Sequence, residues 1–137
     1  MQKPSISRAD SRDRYRRALL PDIARAETQF DNLLHEAETT DNENWRIWYF
    51  LSAHLKARDL LRQVKGHWPR TRDGMRAHGE LVRYYELITE DFAIIRTQMS
   101  LDEKMDYLAA WRKVQAERVP IHKNWERWVR GDLPANP

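Results

Sequence analysis

Six apolar residues, Leu81, Tyr85, Ile88, Phe92, Ile95 and Met99, follow one another at spacings that alternate between four and three. A helix turns once every 3.6 residues, so this spacing lays all six along one stripe. A stripe of that kind needs other helices to bury it. The sequence provides them. From Pro21, the residues Ile23, Ala26, Phe30, Leu33, Leu34 and Ala37 recur on one face. Over residues 43–65, Phe50, Ala53, Ala57, Leu60 and Val64 form a second seam, widened early by Trp45, Trp48 and Leu51.

Punctuation between these stripes sets the expected boundaries. A short helix is expected from Ser7 to Leu20, where Pro21 kinks it or opens the next helix. Thr39-Thr40-Asp41-Asn42 is a turn rich in N-cap residues, and Gly66 is placed to stop the following helix. Residues 66–74 read as a loop, and Met75 to Met99 as the third long helix. Ser100-Leu101-Asp102-Glu103 reads as a capping box that opens a helix from Leu101 to about Arg118. Met105, Leu108, Trp111 and Val114 are its core positions. Pro120 interrupts it, leaving a short last helix, Ile121 to Arg130, ended by Gly131. Short connections between long helices predict an all-α fold: an antiparallel helical bundle of about four main helices plus a short C-terminal helix. One domain over 8–130 is expected, with flexible ends at 1–7 and 131–137.

Composition excludes several classes. The chain has no cysteine, so disulfides, thiol catalysis and cysteine-based zinc sites are ruled out. The longest apolar run, Trp48-Tyr49-Phe50-Leu51, falls far short of the roughly 20 residues that span a bilayer. No apolar stretch follows the N-terminus, so no secretory leader is expected. A cytoplasmic protein without membrane contact is the resulting expectation.

Charge comes in alternating blocks. Counting Lys and Arg against Asp and Glu, residues 1–20 carry +4, 21–44 carry −6, 45–83 carry +6, 84–106 carry −4 and 107–137 carry +3. In an up-and-down bundle, residues 38–44 and 98–106 share one end. That end would hold Glu36, Glu38, Asp41, Glu43, Asp102, Glu103 and Asp106. The other would hold Arg14, Arg16, Arg17, Lys65, Arg70, Arg72, Arg76, Lys113, Arg118 and Lys123. Acids at helix starts and bases at helix ends suit the helix dipole. Arg70, Arg72 and Arg76 have no such excuse, because they precede or open a helix.

Those three arginines therefore carry the leading functional reading. With Lys65 and Trp68 they form a loop that interleaves cations with one large aromatic, and Arg58 and Arg62 extend it along a helix. Phosphates need Lys or Arg, and an indole offers a face on which a base can stack. The expectation is a non-enzymatic binding or assembly subunit. Its basic pole would contact nucleic acid, RNA or DNA, and its acidic pole would dock a protein or another copy of itself. The basic segment Arg8 to Arg17 is a second place where a polyanion could bind.

Two alternatives stand beside it. Residues 72–79, Arg-Asp-Gly-Met-Arg-Ala-His-Gly, are similar to the Arg-(x4–6)-His motif of HEPN ribonucleases, which are small helical bundles. The resemblance implies a metal-independent RNA-cutting site built from Arg72 and His78, with Asp73 at the family's polar position and two protomers pairing to form it. The other alternative is a protein-interaction adaptor or inhibitor. Trp125 and Trp128, flanked by Arg127, would either close the core as a lid or present an aromatic patch. Trp45 and Trp48 carry the same two readings.

No metal or cofactor is expected, and no small-molecule substrate is evident. His35, His54, His67, His78 and His122 include no pair at ligand spacing on one helix. Glu86 and Glu90 lack the Glu-x-x-His partner of a di-iron bundle. Nucleophile elbows, phosphate-cradling glycine loops and EF-hand loops are all absent.

Overall fold

The computed structural model describes residues 8–66 and 68–131, with side chains from Arg12 onward. The expected flexible ends, 1–7 and all of 131–137 except Gly131, lie outside the described residues, as does His67. Five helices follow in order: α1 (Arg8–Ala18), α2 (Leu20–Thr39), α3 (Glu43–Lys65), α4 (Arg72–Leu101) and α5 (Tyr107–Arg130). No strand occurs among the described residues, and the last four helices form an antiparallel bundle. No described helix is long and apolar enough to cross a membrane.

α1 runs almost directly into α2. The Leu19 amide donates to the Tyr15 carbonyl, and the Ile23 amide donates to the Leu19 carbonyl. Leu19 itself is buried, and Pro21 falls in the first turn of α2, where its missing N–H costs nothing. α2 then buries Ile23, Ala26, Phe30, Leu34 and Ala37, the stripe read from the sequence.

At the turn into α3, Asn42 Oδ1 accepts the Trp45 amide at 3.0 Å. Arg46 reaches back from α3 and donates to the carbonyls of Ala37 and Thr40, which the end of α2 leaves without helical partners. Phe50, Ala53, Ala57, Leu60 and Val64 of α3 and Leu81 to Ile95 of the α4 stripe are buried as expected, joined at the centre by aromatic contacts. Met99 is only partly buried, and Trp45 and Trp48 do not widen the seam, because about half of each faces solvent. Phe92 stacks on Trp111 of α5 at 4.3 Å between ring centres and lies 5.0 Å from Phe50 of α3.

Three boundaries differ from expectation. α4 begins at Arg72 rather than Met75, because Thr71 caps it by accepting the Gly74 amide. At its far end, Ser100 opens no helix. Its hydroxyl bonds back to the Thr97 carbonyl in the last turn of α4, and Asp106 caps α5 by accepting the Ala109 amide. The third difference is Pro120, which lies inside a continuous α5. A mid-helix proline costs about 3 kcal/mol or more. Packing on both sides of it, by Trp111 before and by Trp125, Trp128 and Val129 after, holds the helix together. The expected fourth and short last helices are therefore one helix. Gly131 closes it at φ 82°, a left-handed value that suits glycine.

Gly74 is required for a different reason, close approach. A Cβ there would lie 2.8 Å from Pro69 Cβ, Thr71 Oγ1 and the Trp128 ring alike. Gly74→Ala is expected to destabilise the protein by about 1–2 kcal/mol net, because three contacts this short put the overpacking cost toward the upper end of about 1–3 kcal/mol and helix propensity returns only about 1 kcal/mol. A urea melt checks this: the midpoint should fall with the m-value unchanged.

Candidate functional site

The bundle topology separates charge. The α2–α3 and α4–α5 connections lie at one end. The α3–α4 connection, the α1–α2 junction and the C-terminus of α5 lie at the other. α4 alone, with 30 residues, spans about 45 Å at 1.5 Å per residue. At the basic end, Arg62, Lys65, Arg70, Arg72 and Arg76 are exposed, and so are Arg14, Arg17, Arg127 and Arg130 from α1 and α5. Among the described residues, Lys65, Arg70, Arg72 and Arg76 have no carboxylate within 4 Å. Arg62 only brushes Asp59, at 3.8 Å. An exposed contact of that kind is worth little and leaves the cation available. Arg58 is exposed one turn nearer the centre of α3.

Trp68 is 47% exposed. One side of its indole meets His78, at 4.6 Å between ring centres, and its Cζ3 lies 4.0 Å from the Cβ position of Gly79. The remainder of the ring is exposed at the same end of the bundle as these arginines.

Two cations expected at this pole are elsewhere. Because α5 starts at Tyr107 and does not break, Lys113 sits in the half nearer the acidic end. Arg118 lies mid-bundle, paired with the buried Asp91 of α4 through Nε at 3.0 Å and Nη2 at 3.3 Å. The acidic end gathers Glu36, Glu38, Asp41, Glu43, Asp102, Glu103 and Asp106. Arg112 binds Glu38 and Arg46 binds Glu43, which partly offsets that charge.

His78 is fully enclosed, at 0% exposure. It belongs to a relay that joins four helices. Trp125 Nε1 donates to the Tyr15 hydroxyl at 2.9 Å, the hydroxyl donates to His78 Nδ1 at 2.8 Å, and His78 Nε2 donates to the Val64 carbonyl. Arg72, by contrast, is exposed at the first residue of α4. The structure thus gives Arg72 and His78 no shared surface in this chain. Trp125 and Trp128 are each only 3% exposed, and Trp128 Nε1 approaches Asp73 Oδ2 at 3.4 Å. They close the core and offer no aromatic patch; only Arg127 and Arg130 face solvent there. Trp45 and Trp48 are the reverse case: about half of each is exposed, clustered with Tyr49 on the outer face of α3.

A second cluster has no counterpart in the sequence reading. Between α2, α4 and α5 lies a cleft of about 230 Å³, into which Glu27, Asp31, Tyr84, Tyr85, His122 and Glu126 converge. His122 Nε2 lies 2.5 Å from Glu27 Oε2, and its Nδ1 lies 2.8 Å from Glu126 Oε1. The Tyr85 hydroxyl also donates to Glu27. Burial alone would lower the His122 imidazole, but the hydrogen bond and charge of Glu27, joined by Glu126, hold it above its usual range. Burial, reinforced by Glu27, Asp31 and Glu126, pushes the Tyr84 phenol up. Asp31 is raised by its partial burial and the charge of Glu27, against the pull of His122. Among the described residues, no group of three or more acids and histidines is arranged to hold a metal ion. The i, i+4 pairs Glu27/Asp31 and His122/Glu126 are the signal that could have pointed to this cleft.

No family model, no curated protein and no solved structure matches this chain.

Proposed function

We propose that this chain is a non-enzymatic binding subunit whose basic pole grips nucleic-acid phosphates, leaving the acidic pole to dock a basic protein or a further copy. The observation that supports it most is a set of exposed cations, Lys65, Arg70, Arg72 and Arg76, without carboxylate partners among the described residues, at the same end as a half-open Trp68. Cations left unpaired beside an accessible indole suit a phosphate backbone with an unstacked base. Arg58 and Arg62 lengthen the track along α3.

The test is fluorescence anisotropy of labelled single-stranded RNA and duplex DNA. Six phosphate contacts predict a loss of about a thousandfold in duplex affinity between 50 and 200 mM salt. Arg70, Arg72 and Arg76 are exposed, so changing all three to Ala should leave the fold intact and lower the salt slope by about three. Absence of binding at 50 mM salt, or a slope that the triple variant leaves unchanged, would remove this reading.

A further inference from the structure

We infer that the cleft between α2, α4 and α5 is a binding site for a small organic ammonium ion, such as an aliphatic diamine. Its walls provide the three things such an ion needs. The first is acceptors that the protein does not use. Tyr84 is 7% exposed and lines the cleft, and its hydroxyl has no hydrogen-bond partner among the described residues. Glu27 engages His122 and Tyr85 through Oε2 only, which leaves Oε1 open. Asp31 stands one turn further along α2, with no ion pair among the described residues. An ammonium group has three N–H donors, and these are three acceptors from two helices.

The second is sign. His122 is bracketed by Glu27 and Glu126, so its positive charge is cancelled locally. Glu27, Asp31 and Glu126 against His122 and Lys123 leave the lining net negative even with both bases charged. An anion would meet carboxylates on two walls. A metal ion would have to displace protein protons, because His122 already uses both ring nitrogens.

The third is aromatic surface. The rings of Tyr84, Tyr85 and Phe30 form the remaining wall, and aromatic faces attract cations, more strongly where water is excluded. A volume of about 230 Å³ lies below the roughly 300–1,000 Å³ of drug-sized sites. It suits a molecule of a few heavy atoms rather than a nucleotide. The site is independent of the basic pole and survives if nucleic acid does not bind.

Calorimetric titration with 1,4-diaminobutane and with agmatine, at neutral pH and 150 mM salt, tests the assignment. Saturable binding at about millimolar or tighter is expected. Asp31→Asn and Tyr84→Phe keep side-chain shape and break no existing bond, so both variants should melt like the parent and each should bind at least fivefold more weakly. The Arg70/Arg72/Arg76→Ala variant should bind as the parent does. Absence of heat with either amine would overturn the inference. So would binding that both cleft substitutions leave unchanged, or a preference for acetate over the amines.

Discussion

Trp111→Ala should lower the stability of the protein by about 3–5 kcal/mol, the range for emptying a large aromatic site in a core. Trp111 is 1% exposed, stacks on Phe92 and meets Phe30 edge-on at 6.1 Å. Phe92 in turn contacts Phe50 and His54. One indole thus bears on a cluster drawn from all four bundle helices, and its neighbours cannot collapse into the gap without losing their own contacts. Single domains hold only about 5–15 kcal/mol in total, so the variant should sit near its unfolding threshold. Trp111→Phe keeps the stacking partner and should cost clearly less. Urea unfolding followed by circular dichroism separates the two. A loss below about 1.5 kcal/mol for the Ala variant, well under the usual range, would mean that the site repacks and that this cluster does not organise the core.

Arg118→Met is the other large expected loss, about 3–5 kcal/mol, because it strands a buried carboxylate. Asp91 is 7% exposed, and both its oxygens are held by the Arg118 guanidinium. The two bonds tie α5 to α4 as well as neutralising the charge. Arg118 retains about a quarter of its exposure, which places the loss toward the lower end of the range. The double variant Asp91→Leu/Arg118→Met should recover most of it, since a buried ion pair replaced by apolar groups is often neutral. A double variant no better than the single one would show that the loss came from Arg118's packing and not from the orphaned charge.

The helical stripes were legible because burial repeats at the helical period. Leu81, Tyr85, Ile88, Phe92 and Ile95 are all buried as the spacing predicts. The charge separation was legible too, since it follows from block order and antiparallel connection alone. What the sequence hid was arbitration between competing local signals. Ser100 read as the cap of a capping box, but its hydroxyl found the Thr97 carbonyl and the capping fell to Asp106. Pro120 looked like a break, but the aromatic residues on either side of it belong to one buried face. That single difference moved Lys113 and Arg118 away from the basic pole. The cleft was hidden for another reason. Glu27 meets Tyr85 58 positions away and His122 95 positions away, so the i, i+4 pairs Glu27/Asp31 and His122/Glu126 mark two polar helix faces but not that they meet.

The relay through Tyr15 sets an order on how the molecule can be made. Trp125 lies 110 positions after Tyr15, and His78 lies 63 after it. Of the five described helices, α1 comes first in the chain and is the last to find its full set of partners. Closing so wide a gap brings a slow entropic step to the end of folding. Until α5 emerges, the Tyr15 ring and the first helix have only part of their seat, on a half-built bundle. The end that carries the exposed arginines is thus also the end that closes last, because it waits for the final turns of α5.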